Sequence, residues 1–360
     1  METTRYHVLA FAMAAGIAGS AMPACAETLK IIVHSGMPPV TTQVKTMESF
    51  FFPEIDKRLK ASGKDFKVQW TRAWAQSLAK MEESFEATEE GIGHIGLIPW
   101  VVEPSKLPLE VVAFYLPFTS LDAALTGKAI SHLHKVIPEM DAQFTKHNQV
   151  HLVTLPSENY HLATKFPVTK LEDLKAKKIG STGVLANLLK GSGATIVFSN
   201  MTQAYTSIRN GVYDGYPISY NLSFPYKVYE AAPYFTIVDY AAPAGSGLSM
   251  NKTMWDKLPP HAKKIFKDVA EETSGVYLKA GQVATTRFEG IMRKKGLKVH
   301  VLPPDERKRW AAAMPNVGKE WADSMEKRGL PGKKVVQEFM KYIRENGGEK
   351  DILRHWDKEL

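Results

Sequence analysis

The chain has 360 residues, 44% of them hydrophobic, and 46 Lys and Arg against 38 Asp and Glu, for a formal charge of +8. That length and apolar content suffice for two ordinary domains, each with its own core, and no low-complexity segment or long linker interrupts them. The single cysteine, Cys25, lies in the leader. Once the leader is removed, disulfides, thiolate catalysis and cysteine–zinc sites are all excluded.

The leader is read from a short pattern. Arg5 and His7 precede an apolar, small-residue run from Val8 to Ala18, and Ala24-Cys25-Ala26 fits an A-x-A cleavage site before Glu27. This predicts a signal peptide over 1–26 and a periplasmic protein. A lipoprotein anchored at Cys25 is the weaker alternative, because Met22-Pro23-Ala24 is a poor lead-in. No later run is long or apolar enough to span a bilayer, so no stable membrane insertion is expected. The late basic clusters, Arg293 to Lys298 and Arg307-Lys308-Arg309, have no interleaved aromatics. They read as a solvated basic face, and nucleic acid is not an expected partner.

The remaining elements follow in chain order. Leu29–Val33 reads as a buried strand ending at His34, Phe50–Leu59 as a helix despite Pro53, and Phe66–Trp70 as an alternating strand. A helix is predicted from about Leu78 to Glu90, then a strand from Ile95 to Trp100. Asp122–Phe144 is helical with a loop near Pro138, and His151–Leu155 is a strand. Val184–Leu189 reads as a helix, Thr195–Phe198 as a strand and Gln203–Asn210 as a helix. Lys252 to about Lys294 is a long helical region broken near Pro259-Pro260, and Val299–Val301 is a strand. Two helices, about Asp305–Arg328 and Lys333–Asn346, finish the chain. Strands alternating with helices predict an α/β fold with parallel or mixed sheets.

One local pattern occurs twice. Phe85 precedes Gly91 by six positions and His94 follows three later; Tyr205, Gly211 and Asp214 repeat that spacing about 120 residues on. Each unit reads as the last turns of a helix, a left-handed glycine stop and the start of a short buried strand. Two such units suggest two similar lobes with a small-molecule site in the cleft between them. Helix–glycine–strand is also common in any α/β protein.

Catalytic and metal patterns fail on context. Gly91-Ile-Gly-His-Ile-Gly96 spells G-x-G-x-x-G, but it follows a helix and leads into a strand, the reverse of a dinucleotide site. His132-x-His134 and His147-x-x-x-His151 have possible metal spacings without an obvious third ligand. No catalytic residue, metal ligand or cofactor is assigned.

Trp74-Ala-Gln-Ser-Leu78, Glu86-Ala87-x-x-Glu90-Gly91, Leu116-Pro117-Phe118, Lys170 to Ile179, Gly211 to Gly215, Lys227 to Glu230 and Leu248 to Leu258 occur in this order. With that order and spacing the chain resembles the DctP-type solute-binding proteins of tripartite ATP-independent periplasmic (TRAP) transporters. The resemblance implies two α/β lobes joined by a hinge, a long backing helix, no enzymatic activity, a monomeric state and delivery of a small molecule to TRAP permease subunits. It places lobe one at 27–152 with a return segment near 241–265, lobe two at 153–240 with part of the C-terminal region, and the backing helices at 266–360. An exported enzyme on the same scaffold, or the binding subunit of a sensor or another transporter, is the alternative.

In this family an arginine within a pattern such as Lys-Ile-Arg-Val-Pro grips a substrate carboxylate. Here the sequence reads Lys178-Ile179-Gly180-Ser181-Thr182, with Gly180 at the arginine position. A second basic position falls near Tyr160 and a usual asparagine near Ile218. The resemblance therefore implies a pocket without the arginine clamp and with room at Gly180. Its expected lining is His34, Ser77, Pro99 and Trp100 from lobe one. From lobe two it is Glu158, Tyr160, Ser181, Met201, Tyr216, Ser219 and Tyr220, with Tyr240 at a crossing between lobes. Aromatic faces and Glu158 suit an aromatic, neutral-polar or cationic ligand. Lys165 or Lys178 is the remaining handle for an anion.

Overall fold

A computed structural model describes residues 27–360, so the predicted signal peptide and Cys25 lie outside the described residues. Its strands are β1 (Glu27–His34), β2 (Phe66–Ala73), β3 (Ile95–Pro99), β4 (Gln149–Pro156), β5 (His161–Thr164), β6 (Lys178–Ser181), β7 (Thr195–Phe198), β8 (Gly215–Ile218), β9 (Tyr234–Ile237), β10 (Ala244–Asn251) and β11 (Lys298–Val301). They form a five-stranded sheet in the order β2-β1-β3-β10-β4, a four-stranded sheet in the order β11-β9-β5-β8, and the pair β6-β7. In the first sheet β1 runs parallel to β2 and β3, while β10 is antiparallel to β3 and β4. The second sheet is mixed in the same way. The result is a two-lobed α/β fold.

The glycine units sit at matching places in the two lobes. Gly91 and Gly211 both have φ of 75°. After each, a backbone N–H fastens the chain to a neighbouring strand: His94 N donates to Ile32 O at 2.8 Å and Asp214 N to Lys178 O at 2.7 Å. One unit leads into β3 and the other into β8. An L side chain at either glycine meets the left-handed backbone penalty that glycine escapes.

Several predicted boundaries shift for local reasons. The helix expected from Leu78 starts only at a 3₁₀ turn, Met81–Glu83, and continues as Ser84–Glu89. Val184–Leu189 lies within a 3₁₀ segment, Gly183–Leu189. The helix expected over 305–328 is two, Pro304–Ala313 and Val317–Lys327, because Pro315 cannot continue the first. Strand β10 is the larger surprise. Every residue of Ala-Gly-Ser-Gly-Leu-Ser-Met-Asn is buried, and the strand lies inside the first sheet between β3 and β4. A Cβ on Gly247 would stand 2.4 Å from both the Trp100 ring and Val153 O, so only glycine fits there.

Two chain crossings join the lobes, 157–160 between β4 and β5 and 238–243 between β9 and β10. They are bonded to each other: Ser157 N donates to Pro243 O (2.6 Å), Tyr160 N to Ala241 O (3.1 Å) and Tyr240 N to Tyr160 O (3.3 Å). Behind them runs one 35-residue helix, Pro260–Lys294, about 50 Å long. Its first half buries Phe266, Val269 and Tyr277 in the core of lobe one, and its second half buries Phe288 and Met292 in lobe two. The C-terminal helices cover the far side, where Trp356 Nε1 donates to Pro117 O at 2.8 Å.

Phe266 is fully buried, with its ring 6.4 Å from Phe51 and 5.9 Å from Trp70. Phe266→Ala is expected to destabilise the protein by about 3–5 kcal/mol in denaturant unfolding. A loss under about 1 kcal/mol would show that the long helix does not support lobe one.

Candidate functional site: the interlobe cleft

The lobes meet across a narrow cleft of about 50 Å³. Lobe one contributes Met37, Met81, Pro99, Val101 and Val102. Pro99 closes β3, and Val101 and Val102 follow in a 3₁₀ turn that carries the backbone into the gap. Lobe two faces these with Tyr160, Thr182, Leu185, Met201 and Leu222. Ser157 comes from the first crossing, and Gly245 and Ser246 from the start of β10, just past the second.

The chemistry of this lining is apolar with a few neutral polar groups. Ser246 Oγ is buried without a hydrogen-bond partner. Asn200 is committed to structure, its Oδ1 accepting from Gln203 N at 3.2 Å and from Thr202 Oγ1 at 2.6 Å. Gln43 completes the neutral set, and Glu82, at the exposed rim, is the one charged residue in the lining. No lysine, arginine or histidine lines the cleft among the described residues. Lys165 and Lys178 do not reach it.

Gly180 does not leave room. The Tyr213 ring fills the position where a side chain would stand, and a Cβ on Gly180 would lie 2.4 Å from two ring atoms. Tyr213 is fully buried and its hydroxyl donates to Ser199 Oγ at 3.2 Å. Tyr216, also fully buried, donates to Ser199 O at 3.4 Å. Both rings therefore pack beneath β6 and hold the segment at Ser199. Ser181 lies in the same layer, fully buried, with its Oγ unpartnered.

The other expected lining residues fall into three places. Tyr160 and Met201, with Pro99, are in the cleft. Glu158 and Tyr220 line a second cavity on the opposite side of the first crossing. Glu158 accepts from Asn221 N at 2.7 Å and from Thr285 Oγ1, and Ser219 caps the same short helix, Tyr220–Ser223. Burial raises the Glu158 carboxyl above its ordinary value, against the lowering effect of those donors. The remainder lie away from both cavities. Ser77 is on an exposed turn. Trp100 is fully buried under Gly247, edge-on to Phe144 at 5.4 Å. Tyr240 packs edge-on to Trp310 at 5.0 Å.

His34 ends β1 as expected but turns inward. Its Nε2 pairs with Thr88 Oγ1 at 2.9 Å and its ring fills the space over Gly93. Burial, with help from His94, lowers its pKa to about 4. The unfolded chain therefore binds more protons than the folded one between about pH 4 and 6.5. Stability is expected to fall by up to about 3 kcal/mol as pH drops through that window. His34→Gln should flatten this part of a pH series of denaturant midpoints; an unchanged slope would remove His34 as its source.

One histidine cluster also forms away from the cleft. Glu110, His134 and His151 converge within 4.8 Å. His134 Nδ1 bonds Asp141 Oδ1 at 2.8 Å, and Nε2 lies 2.7 Å from Glu110 Oε1. Burial alone lowers the His134 pKa, but the two carboxylates raise it to about 9. The His134 and His151 rings stack 3.9 Å apart within 6° of parallel. Their in-plane lone pairs run side by side instead of converging, so the arrangement suits a shared proton better than a metal ion.

The family model for the bacterial extracellular solute-binding proteins of family 7, DctP, matches residues 63–324. The chain belongs to that family. A TRAP solute-binding protein from Rhodoferax ferrireducens in complex with copurified benzoate superposes at TM-score 0.77, with 19% identity over 88% of this chain and 98% of that one. Another from Chromohalobacter salexigens with bound D-glucuronate gives 0.76, with 16% identity over 87% and 99%. An extracytoplasmic solute receptor from Bordetella pertussis binding pyroglutamic acid gives 0.73, with 18% identity over 88% and 100%. No curated protein sequence matches the chain. The DctP family comprises solute-binding proteins rather than enzymes, and no helix among the described residues is long and apolar enough to cross a membrane.

The cleft signal that sequence reading missed is mostly apolar. Met37, Met81, Val101, Leu185 and Leu222 have no feature that separates them from core residues. Tyr213 lies within the second glycine unit, between Gly211 and Asp214, and meets Gly180 only in three dimensions.

Gly180→Arg is expected to lower stability by about 1–3 kcal/mol or more, because the new side chain meets a ring held on all sides. Adding Tyr213→Ala should recover part of that loss in thermal unfolding. Equal stabilities of the single and double variants would mean that the ring does not occupy the position.

Proposed function

We propose that this chain is an extracytoplasmic receptor that closes its two lobes on a small, uncharged and largely apolar molecule, then hands it to the membrane subunits of a TRAP-type transporter. The observation that carries this reading is the composition of the cleft. It has apolar walls from both lobes, neutral polar groups at Ser246, Thr182, Gln43 and Tyr160, and no cation in its lining. An ionised carboxylate buried there without a cation would forfeit several kcal/mol of hydration. The solved relatives are described with D-glucuronate, pyroglutamate and benzoate. Benzoate, an apolar ring with one polar end, is the nearest of these to the cleft described above. A phenol, aromatic ketone or similar neutral ring compound fits the lining better than a uronate, because a sugar acid needs many directed hydrogen bonds.

Ligand affinity in this reading comes from the difference in contacts between the open and closed lobes. Ser246 Oγ is the proposed polar anchor, since it is buried, unpartnered and placed at the start of β10, just past the second crossing. The lobe boundaries implied by the family, the periplasmic address and the monomeric state belong to the same proposal.

The test is mass spectrometry of small molecules released from the purified protein, followed by thermal-shift assays with the compounds found and with a panel of acids. A neutral ring compound that stabilises the protein, and loses about tenfold in affinity in Ser246→Ala, is the expected result. Stabilisation by carboxylates alone, or chemical turnover of the bound compound, would overturn the reading.

A further inference from the structure

The first crossing has two faces. Ser157 and Tyr160 look into the ligand cleft, whereas Pro156, Glu158, Asn159 and His161 line a cavity of about 610 Å³ on the other side. That volume is within the range of small-molecule sites. Its walls come from every moving part of the molecule. Leu121 to Ala124 belong to lobe one, Tyr220 and Asn221 to lobe two, and Tyr277, Gly281 and Thr285 to the long helix.

The wall has a consistent polarity. Two carboxylates, Asp122 and Glu158, line it, and no lysine or arginine does. His161, buried, has its pKa lowered to about 3 and brings no positive charge. The two asparagines in the wall direct donors into the structure, Asn221 both and Asn159 one. Asn159 Nδ2 donates to Leu121 O at 3.3 Å. Asn221 Nδ2 donates to Gly281 O and Thr285 Oγ1, both at 3.1 Å. Each keeps an Oδ1 that is buried and unpartnered. Asn221 and Tyr220 are 6% and 5% exposed. The rings of Tyr220 and Tyr277 complete the lining, and aromatic faces attract cations.

From this arrangement we infer that the rear cavity is a second ligand site, built for a small organic ammonium ion held by the carboxylates and aromatic faces of the wall. A compound of this kind supplies what the wall lacks, namely positive charge. It would press on the same few residues that form the cleft's hinge wall. Occupancy of the two cavities is therefore linked through 156–161, and linkage of binding is reciprocal. The site is separate from the cleft, so it stands or falls independently of which solute the cleft takes.

The probe is 1,4-diaminobutane, with 1,4-butanediol as its uncharged isostere, in calorimetric titrations of the full-length processed protein. The diamine is expected to bind saturably and the diol not to bind. Gly281→Leu is the blocking variant. A Cβ at Gly281 meets only Asn221 Nδ2 at 3.7 Å, an ordinary contact, so the larger side chain extends into the cavity while the helix gains a better helix former. It should reduce diamine affinity about tenfold or more. Asp122→Asn retains a helix-capping side chain and removes one charge, and it should weaken binding by a smaller factor. Hydrogen exchange at the Ser157 and Tyr160 amides should slow when the diamine is bound. Absence of diamine binding, equal binding of the diol, or unchanged diamine affinity in Gly281→Leu would each overturn the site. Binding with unchanged exchange at Ser157 and Tyr160 would overturn the linkage.

Discussion

The structure depends on a short hydrogen-bonded ladder between two crossings. Residues 157–160 carry the chain into lobe two, residues 238–243 carry it back, and three backbone bonds tie the pair together. Because the crossings are held to each other, the lobes are limited to rotation about this seam. The long helix behind it buries apolar residues in both cores and restricts the motion further. Ser157 of the seam, with Gly245 and Ser246 next to it at the start of β10, lines the cleft. In the proposed reading, solute recognition and lobe movement therefore meet at the same stretch of backbone.

At one position this chain exchanges one filling for another. Where the family resemblance implies a guanidinium, this chain has a glycine backed by the Tyr213 ring. The ring is anchored by Ser199 and packed with Tyr216 at 6.2 Å. It restores packing density without restoring charge. An arginine cannot return by a single change, because the space for its first carbon is already taken.

The sequence made the architecture legible and left much of the site hidden. The paired glycine units announced two lobes because a left-handed stop constrains one residue to a recognisable type. The long helix was visible from its periodicity and its proline start. Strand β10 was not, since Ala-Gly-Ser-Gly reads as a turn until Trp100 and Val153 are seen crowding Gly247. Aromatic residues were over-read as lining: Trp100, Tyr216 and Tyr240 are all packed in cores. Apolar cleft residues such as Met37 and Leu185 were under-read for the mirror-image reason, that a pocket wall and a core have the same composition. Glu158 was expected in the lining of the cleft, but its side chain lines the rear cavity.

The path of the chain through the sheets has a consequence for its biogenesis. The first sheet receives the strand that joins β3 to β4 only at residues 244–251, and the second receives an edge strand only at 298–301. Neither lobe can complete its hydrogen bonding while the ribosome is still making the middle of the polypeptide. Folding of domains one after another during synthesis, the common route for multidomain chains, is closed to this topology.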